Sequence, residues 1–326
     1  MPERLQQLEG WLRGRVGADF DIEPASSDAS FRRYFRVRFG GESRIVMDAP
    51  PANEDVGPFI DIARRLRALG LNVPEVLDQE PEQGFVLLGD LGSTLYLDAL
   101  NEASVERLYG DALGALAVLQ ATGPQQGELP AYDRALLMQE MALFRDWYLE
   151  RHLGLTLSEV ERVMLEQTFA SLAESALGQP QVAVHRDFHS RNLLVAEHNP
   201  GIVDFQDAVI GPLTYDVVSL LRDCYIAWPR ARVEDWALGY HDLALHSGIL
   251  REEGERRFLR WFDLMGVQRH LKAIGIFARL HHRDAKPGYL GDIPRTLGYL
   301  EEVSGRYEEL EGLHTFLQAR VLPALQ

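Results

Sequence analysis

Between the apolar runs 182–184 and 193–195 the chain reads HRDFHSRN, placing Asp187 five residues before Asn192, and the apolar hairpin that follows ends on Asp204. Two carboxylates and an amide therefore fall at the same end of a short hairpin. Phosphoryl transfer uses such a set: one carboxylate accepts the proton of an attacking hydroxyl, and hard oxygen ligands hold magnesium on the nucleotide phosphates. Asp187 suits the first task, Asn192 and Asp204 the second. The same residues would also make a hydrogen-bonded acidic loop between strands. The order of the surrounding elements decides between the two readings.

Those elements begin with a strand-rich segment. FRRYFRVRF (31–39) and SRIVMDAP (43–50) have strand composition, and Gly40 and Gly41 between them mark a hairpin turn. Phe59, Ile62, Ala63, Leu66 and Leu69 recur at helical spacing, and Gly70 is placed to stop that helix. PEVLDQEPEQGFVLLGDLG reads as two more strands running into a segment bounded by Gly89 and Gly92, where a lobe boundary is expected. Beyond it the pattern turns helical over 101–121, 133–150, 158–177 and from 213 to the end. The expectation is an α+β chain with a small strand-rich lobe over 1–90 and a larger, mainly helical lobe over 91–326.

Composition removes several alternatives. A chain of 326 residues, 46% hydrophobic, buries a substantial core, and its formal net charge of -16 argues against nucleic acid or an anionic membrane as a partner. No apolar stretch approaches membrane-spanning length, and the N-terminal MPERLQQLEGWLRGRV is an amphipathic helix pattern without a signal-peptide centre, so a cytoplasmic protein is expected. A single cysteine, Cys224 in apolar surroundings, excludes an internal disulfide and reads as a packed thiol. The only lysines are Lys272 and Lys286, which leaves no Walker A loop.

The order and spacing of HRDFHSRN and DFQ resemble the catalytic loop and metal-binding aspartate of the protein-kinase-like superfamily. Only eleven residues, FQDAVIGPLTY, separate Asp204 from Asp216, which leaves no room for a peptide-binding activation segment. His189 and GPLTYDVVSL are similar to the aminoglycoside phosphotransferase and choline kinase branch, whose members phosphorylate small-molecule hydroxyls. DIEPASSDASFRRYFRVRF, VLLGDLGSTLY and MGVQRHLKAIGIFARLHHRDAKPGYLGDIPR further resemble the bacterial anomeric kinases of N-acetylmuramate and N-acetylglucosamine that serve peptidoglycan recycling. The resemblance implies a bilobal kinase-like fold with a five-stranded N-lobe plus one helix. It also implies ATP and Mg²⁺ as cofactors, an amino sugar as acceptor and a sugar 1-phosphate as product. Another alcohol, such as an aminoglycoside, choline or homoserine, is the rival acceptor. A non-catalytic nucleotide-binding protein is the rival class.

Within that frame Asp187 is the base, Asn192 and Asp204 the metal ligands, and His185 and Asp216 structural supports. Adenine is expected against the backbone of Gly89, Asp90 and Leu91. Met47 stands where the superfamily carries its phosphate-pairing lysine, and SSDASFRRYF replaces the glycine-rich loop. Ser30, Arg32 and Arg33 are accordingly candidates for the nucleotide phosphates. Strand alternation puts Arg33 on the face of Phe35 and Val37, expected to be the cleft side, with Arg32 facing solvent and Arg44 a further candidate. Tyr225 and Trp228 are candidate sugar-stacking aromatics. Arg269, Lys272, Arg279, Arg283 and Lys286 fall on one arc of an ideal helix, where they could meet an acceptor carboxylate. Charged helical faces are more often solvated, and the sequence favours that reading.

Overall fold

The computed structural model describes residues 2–26 and 32–325. Ser30 and most of the loop replacing the glycine-rich one lie outside them. In chain order the first elements are α1 (Pro2–Val16), β1 (Asp21–Ser26), β2 (Arg33–Phe39), β3 (Glu42–Asp48), α2 (Gly57–Ala68), β4 (Val76–Glu80) and β5 (Phe85–Gly89). They are followed by α3 (Tyr96–Ala99), α4 (Val105–Thr122), α5 (Arg134–Leu143), a π-helix (Phe144–His152), α6 (Glu159–Leu177) and β6 (Gln181–Val184). After β7 (Leu193–Leu194), β8 (Gly201–Ile202) and β9 (Val209–Pro212) come α7 (Thr214–Leu221), α8 (Arg230–His246), α9 (Glu255–Asp284), α10 (Ile293–Ser304) and α11 (Glu311–Phe316).

By contact the chain forms two compact units, residues 1–112 with 191–206, and 113–190 with 207–326. The division falls inside α4, and the hairpin carrying Asn192 and Asp204 counts with the first unit. That unit is built on an antiparallel sheet of order β1-β2-β3-β5-β4. Gly40 and Gly41 turn the β2–β3 hairpin with φ of 55° and 84°, a conformation that glycine adopts without a Cβ penalty. One sheet face carries Val37, Val46, Phe85 and Leu87, and packs with Leu8, Trp11 and Leu12 of α1 into an apolar core. The opposite face follows from register: Met47 pairs with Tyr34 and Val86, so these three share a side. α2 buries Phe59, Ile60, Ile62, Ala63 and Leu66, and Gly70, at φ 84°, follows its end.

The second unit is organised around α9, a helix of 30 residues that packs against α5, α6, α7, α8 and α10. A helix enclosed on so many sides buries residues all round rather than along one stripe. The helix expected over 133–150 changes character within its span. It is α-helical to Leu143 and π-helical from Phe144, next to the point where Gly275 of α9 meets it. A Cβ on Gly275 would lie 2.3 Å from the Leu143 carbonyl carbon. The wider π turn thus begins at a close backbone crossing that only glycine permits. β6 pairs with β9 and delivers the chain to residue 185. No helix among the described residues is long and apolar enough to cross a membrane.

Candidate active site

In the first unit the β7–β8 hairpin brings Asn192 to Asp204, the Asn192 Nδ2 donating to Asp204 Oδ2 at 3.2 Å. The Asn192 carbonyl also accepts from the Val203 N–H at 3.1 Å, which fixes the hairpin ends. Asp204 takes a φ of 65°, a left-handed backbone unusual for a residue with a side chain. Its other carboxylate oxygen accepts from Gln206 Nε2 at 2.7 Å. Behind it Phe205 stacks on Phe59 of α2, with ring centroids 5.0 Å apart. No cluster of three or more His, Cys, Asp or Glu able to hold a metal occurs among the described residues. An amide oxygen beside a carboxylate fits Mg²⁺ all the same, because that ion is commonly held by one or two protein oxygens, with phosphates and water completing its shell.

In the second unit the loop after β6 hangs from two buried aspartates. Asp216, at the start of α7, accepts from the backbone N–H groups of His185 at 2.6 Å and Arg186 at 3.0 Å. Asp223 accepts from the N–H of Ser190 at 2.9 Å through one oxygen and from that of Tyr225 at 2.9 Å through the other. Arg186 has a φ of 77°, and its guanidinium donates to Glu140 of α5 at 2.5 Å. His185 is buried, accepts from the Asp187 N–H through Nδ1 at 3.3 Å, and contacts Phe188 edge to face. Burial pushes the Asp216 carboxyl up to about 7 against the pull of its two N–H donors, with Asp187 adding to the rise.

Asp187 opens into a cavity of about 100 Å³ lined also by His189, Tyr215, Cys224, Tyr225, Arg269, Lys272 and Phe277. Burial alone would raise its carboxyl. Lys272, His189, Arg269 and His185 outweigh that and hold it below the ordinary carboxylate range. Lys272 donates to the Tyr215 hydroxyl at 2.9 Å and pairs with Glu140 at 3.2 Å. Burial works against the ammonium, but Tyr215, Glu140 and Asp187 push it up to about 12. On the apolar side the His189 ring meets Tyr225 edge to face at 5.3 Å, and Tyr225 leads on to Phe277 and Tyr289.

The other sequence candidates separate clearly. Arg269 and Lys272 are 6% and 8% exposed, so the solvated-face reading of the α9 cations fails for both. Arg283 is exposed and paired with Asp284, Arg279 is half-buried and does not line the cavity, and Lys286 lies beyond the end of the helix. Trp228 sits edge to face with Trp236 at 5.9 Å, away from the cavity lining. Arg33 shares the face of Phe35 and Val37, as strand alternation requires, but α1 packs over that face and the expected cleft is not there. Arg33 instead pairs with the fully buried Asp48, which Arg4 of α1 also contacts through Nε at 2.9 Å. Arg32 pairs with Glu54 at 3.0 Å and Arg44 with Glu42 at 2.6 Å. The Gly89 N–H donates to Glu75 O at 2.9 Å, and Leu91 packs at Gly201. Asp90 is engaged by Arg36 at 2.7 and 3.0 Å and by Ser43 at 2.5 Å, which makes it a brace of this segment. Glu140 and Asp223 escaped sequence reading, since nothing local marks an acid whose partners lie tens of residues away.

Residues 21–262 match the model of the phosphotransferase enzyme family. Two proteins named N-acetylmuramate/N-acetylglucosamine kinase are similar over nearly the whole chain. The one from Pseudomonas putida is 47% identical and the one from Pseudomonas aeruginosa 48%, each comparison covering 96% of both chains. Among solved structures, the GDP complex of aminoglycoside 2'-phosphotransferase-IIIa superposes with a TM-score of 0.63 at 16% identity, over 93% of this chain and 99% of that one. A choline kinase from Streptococcus pneumoniae gives 0.61 at 12% identity, over 91% and 99%. Both show the protein-kinase-like fold that the sheet, the braced loop and the Asn192–Asp204 hairpin had indicated, and with the family match they establish that this chain belongs to the phosphotransferase enzyme family.

Proposed function

We propose that the protein transfers the terminal phosphoryl group of ATP to the C1 hydroxyl of N-acetylmuramate and N-acetylglucosamine, releasing a sugar 1-phosphate in the cytoplasm. The observation that carries this reading is the cavity holding Asp187 between cations and an aromatic wall, in a chain 47–48% identical to kinases named for those two sugars. Asp187 is the base: held ionised by its cationic neighbours, it accepts the proton of the acceptor hydroxyl as the oxygen attacks. Asp216 and Asp223 keep the loop that carries it in place. Asn192 and Asp204 would hold Mg²⁺, which when bound neutralises charge on the transferring phosphoryl group. Tyr225 offers its ring to the pyranose, in the way aromatic faces commonly serve sugars.

The test is purified protein incubated with ATP, Mg²⁺ and a panel of free sugars, with the product examined by phosphorus NMR. A phosphorus doublet coupled to the anomeric proton is expected with both amino sugars. Phosphorylation of choline or an aminoglycoside in their place would overturn the acceptor, and failure to consume ATP with any alcohol would overturn the enzyme.

A further inference from the structure

Arg269 is a buried cation that no carboxylate contacts directly, Asp187 and Asp223 acting on it only from a distance. The residue is 6% exposed, its Nε is buried without a hydrogen-bond partner, and its one side-chain hydrogen bond is a weak one, from Nη1 to Cys224 Sγ at 3.7 Å. Among the described residues no carboxylate stands within ion-pair distance of it. Lys272, one helical turn along α9 and lining the same cavity, is the opposite case, satisfied by Glu140 and Tyr215. A desolvated charge left unpaired costs several kcal/mol by its Born energy alone, so a fold retains one where a ligand completes it.

We infer that Arg269 is the receptor for a carboxylate on the acceptor sugar and sets the preference for an acidic over a neutral amino sugar. The inference rests on the proposed function and adds to it the residue that tells the two sugars apart. N-acetylmuramate carries a lactyl carboxylate, and N-acetylglucosamine does not. The guanidinium fork matches a carboxylate with two parallel N–H donors; Asp187 lines the same cavity but makes no ion-pair contact with it, and its one hydrogen-bonded neighbour is the Cys224 thiol. A neutral sugar fills the same cavity and leaves Arg269 as it stands in the free protein. The acidic sugar replaces an unpaired charge with a desolvated pair. Lys272 is the weaker candidate, because its charge is already answered by Glu140 and Tyr215.

The experiment compares the wild-type protein with Arg269→Met on both sugars. Removing a charge-assisted contact is worth about 10- to 100-fold. The ratio of kcat/KM for N-acetylmuramate to that for N-acetylglucosamine is therefore expected to fall by that factor, over and above any loss common to both sugars that comes from weakening the field on Asp187. Arg269→Lys keeps the charge without the fork and should retain part of the preference. Equal losses on both sugars, or no loss on either, overturn the inference. A substrate-side measurement stands even if the variant folds poorly: the wild-type protein should lose the same factor when the lactyl carboxylate is converted to its amide. An amide used as well as the acid also overturns it. Thermal shift with N-acetylmuramate, expected for the wild type and absent in Arg269→Met, reads binding apart from turnover. A wild-type protein that phosphorylates neither sugar counts against the proposed function, whereas one that uses both with no carboxylate effect counts against Arg269 alone.

Discussion

The cations of the N-terminal sheet and those of α9 began as equivalent candidates for binding anions, and their surroundings divide them. On the strands each guanidinium meets a protein carboxylate: Arg32 with Glu54, Arg33 with Asp48, Arg36 with Asp90 and Arg44 with Glu42. On α9 the two cations that reach the cavity differ from the strand set and from each other, Lys272 being paired and Arg269 not. A charge already neutralised within the fold is part of its architecture. A buried one left over points to a ligand. Position in a motif separates these cases poorly, because the strand arginines stand where the missing lysine would be sought and yet are already paired.

The largest effect expected from this division is catalytic. Asp187→Asn removes the proposed proton acceptor while leaving Asn192 and Asp204 untouched, and loss of a general base costs about 10²–10⁴ in rate. Turnover should fall by that factor with nucleotide affinity nearly unchanged, as read by steady-state kinetics and a nucleotide-displacement titration. Asp204→Ala should instead abolish the magnesium dependence of nucleotide binding. If Asp187→Asn kept near-normal turnover, this loop would be architecture like the strand pairs.

Next in size is the pair that neutralises Lys272. Glu140 is buried and answers both Lys272 and Arg186, so Glu140→Ala strips two cations at once. Breaking one side of a buried ion pair costs about 3–5 kcal/mol, to be read as a lower urea midpoint at constant m-value. A loss below about 1 kcal/mol would place this cluster with ordinary surface pairs.

How much of this was legible in the sequence depends on the range over which each feature is determined. The β2–β3 hairpin, α2 and its stop at Gly70 follow from local composition and period, and they appear within a few residues of expectation. The proximity of Asn192 and Asp204 was legible because one hairpin carries them, with Asp187 five residues before Asn192 on the loop that leads into it. Glu140 was not, since it acquires its role by meeting Arg186, 46 positions away. The burial of Arg269 and Lys272 was hidden for a related reason. A helical wheel places charges relative to one another, while only packing on several sides of α9 decides that this arc faces a cavity and not water. The α-to-π change at Phe144 depends on Gly275, more than a hundred residues on.

A smaller effect concerns pH. Lys272 is the foremost of the charges that hold Asp187 below the ordinary carboxylate range. The base is ionised above its own pKa, so wild-type kcat/KM should stay level as pH falls through the usual carboxylate region and decline only below it. In Lys272→Met the upward push of burial is less opposed, and the acidic limb should move to higher pH. An unmoved limb would mean that Arg269 and the two histidines suffice.

The smallest effects belong to the strand arginines. Arg36 and Asp90 are both largely shielded and doubly bonded, and Arg36 also donates to Gly92 O at 3.0 Å. Arg36→Ala should therefore cost about 1.5–3 kcal/mol, the range for hydrogen bonds to charged groups. Arg33 is about a third exposed and shares Asp48 with Arg4, so its loss leaves that carboxylate still paired. Arg33→Ala should cost less than about 1 kcal/mol, as exposed pairs do. Turnover and ATP affinity at saturating sugar should change little in Arg32→Ala and Arg33→Ala alike, because each guanidinium is engaged by a protein carboxylate before any nucleotide arrives. Urea denaturation beside steady-state kinetics on the three variants reads both quantities. A tenfold or larger loss of turnover in Arg33→Ala, without loss of stability, would show that nucleotide draws it away from Asp48 and would return it to the role of the absent lysine.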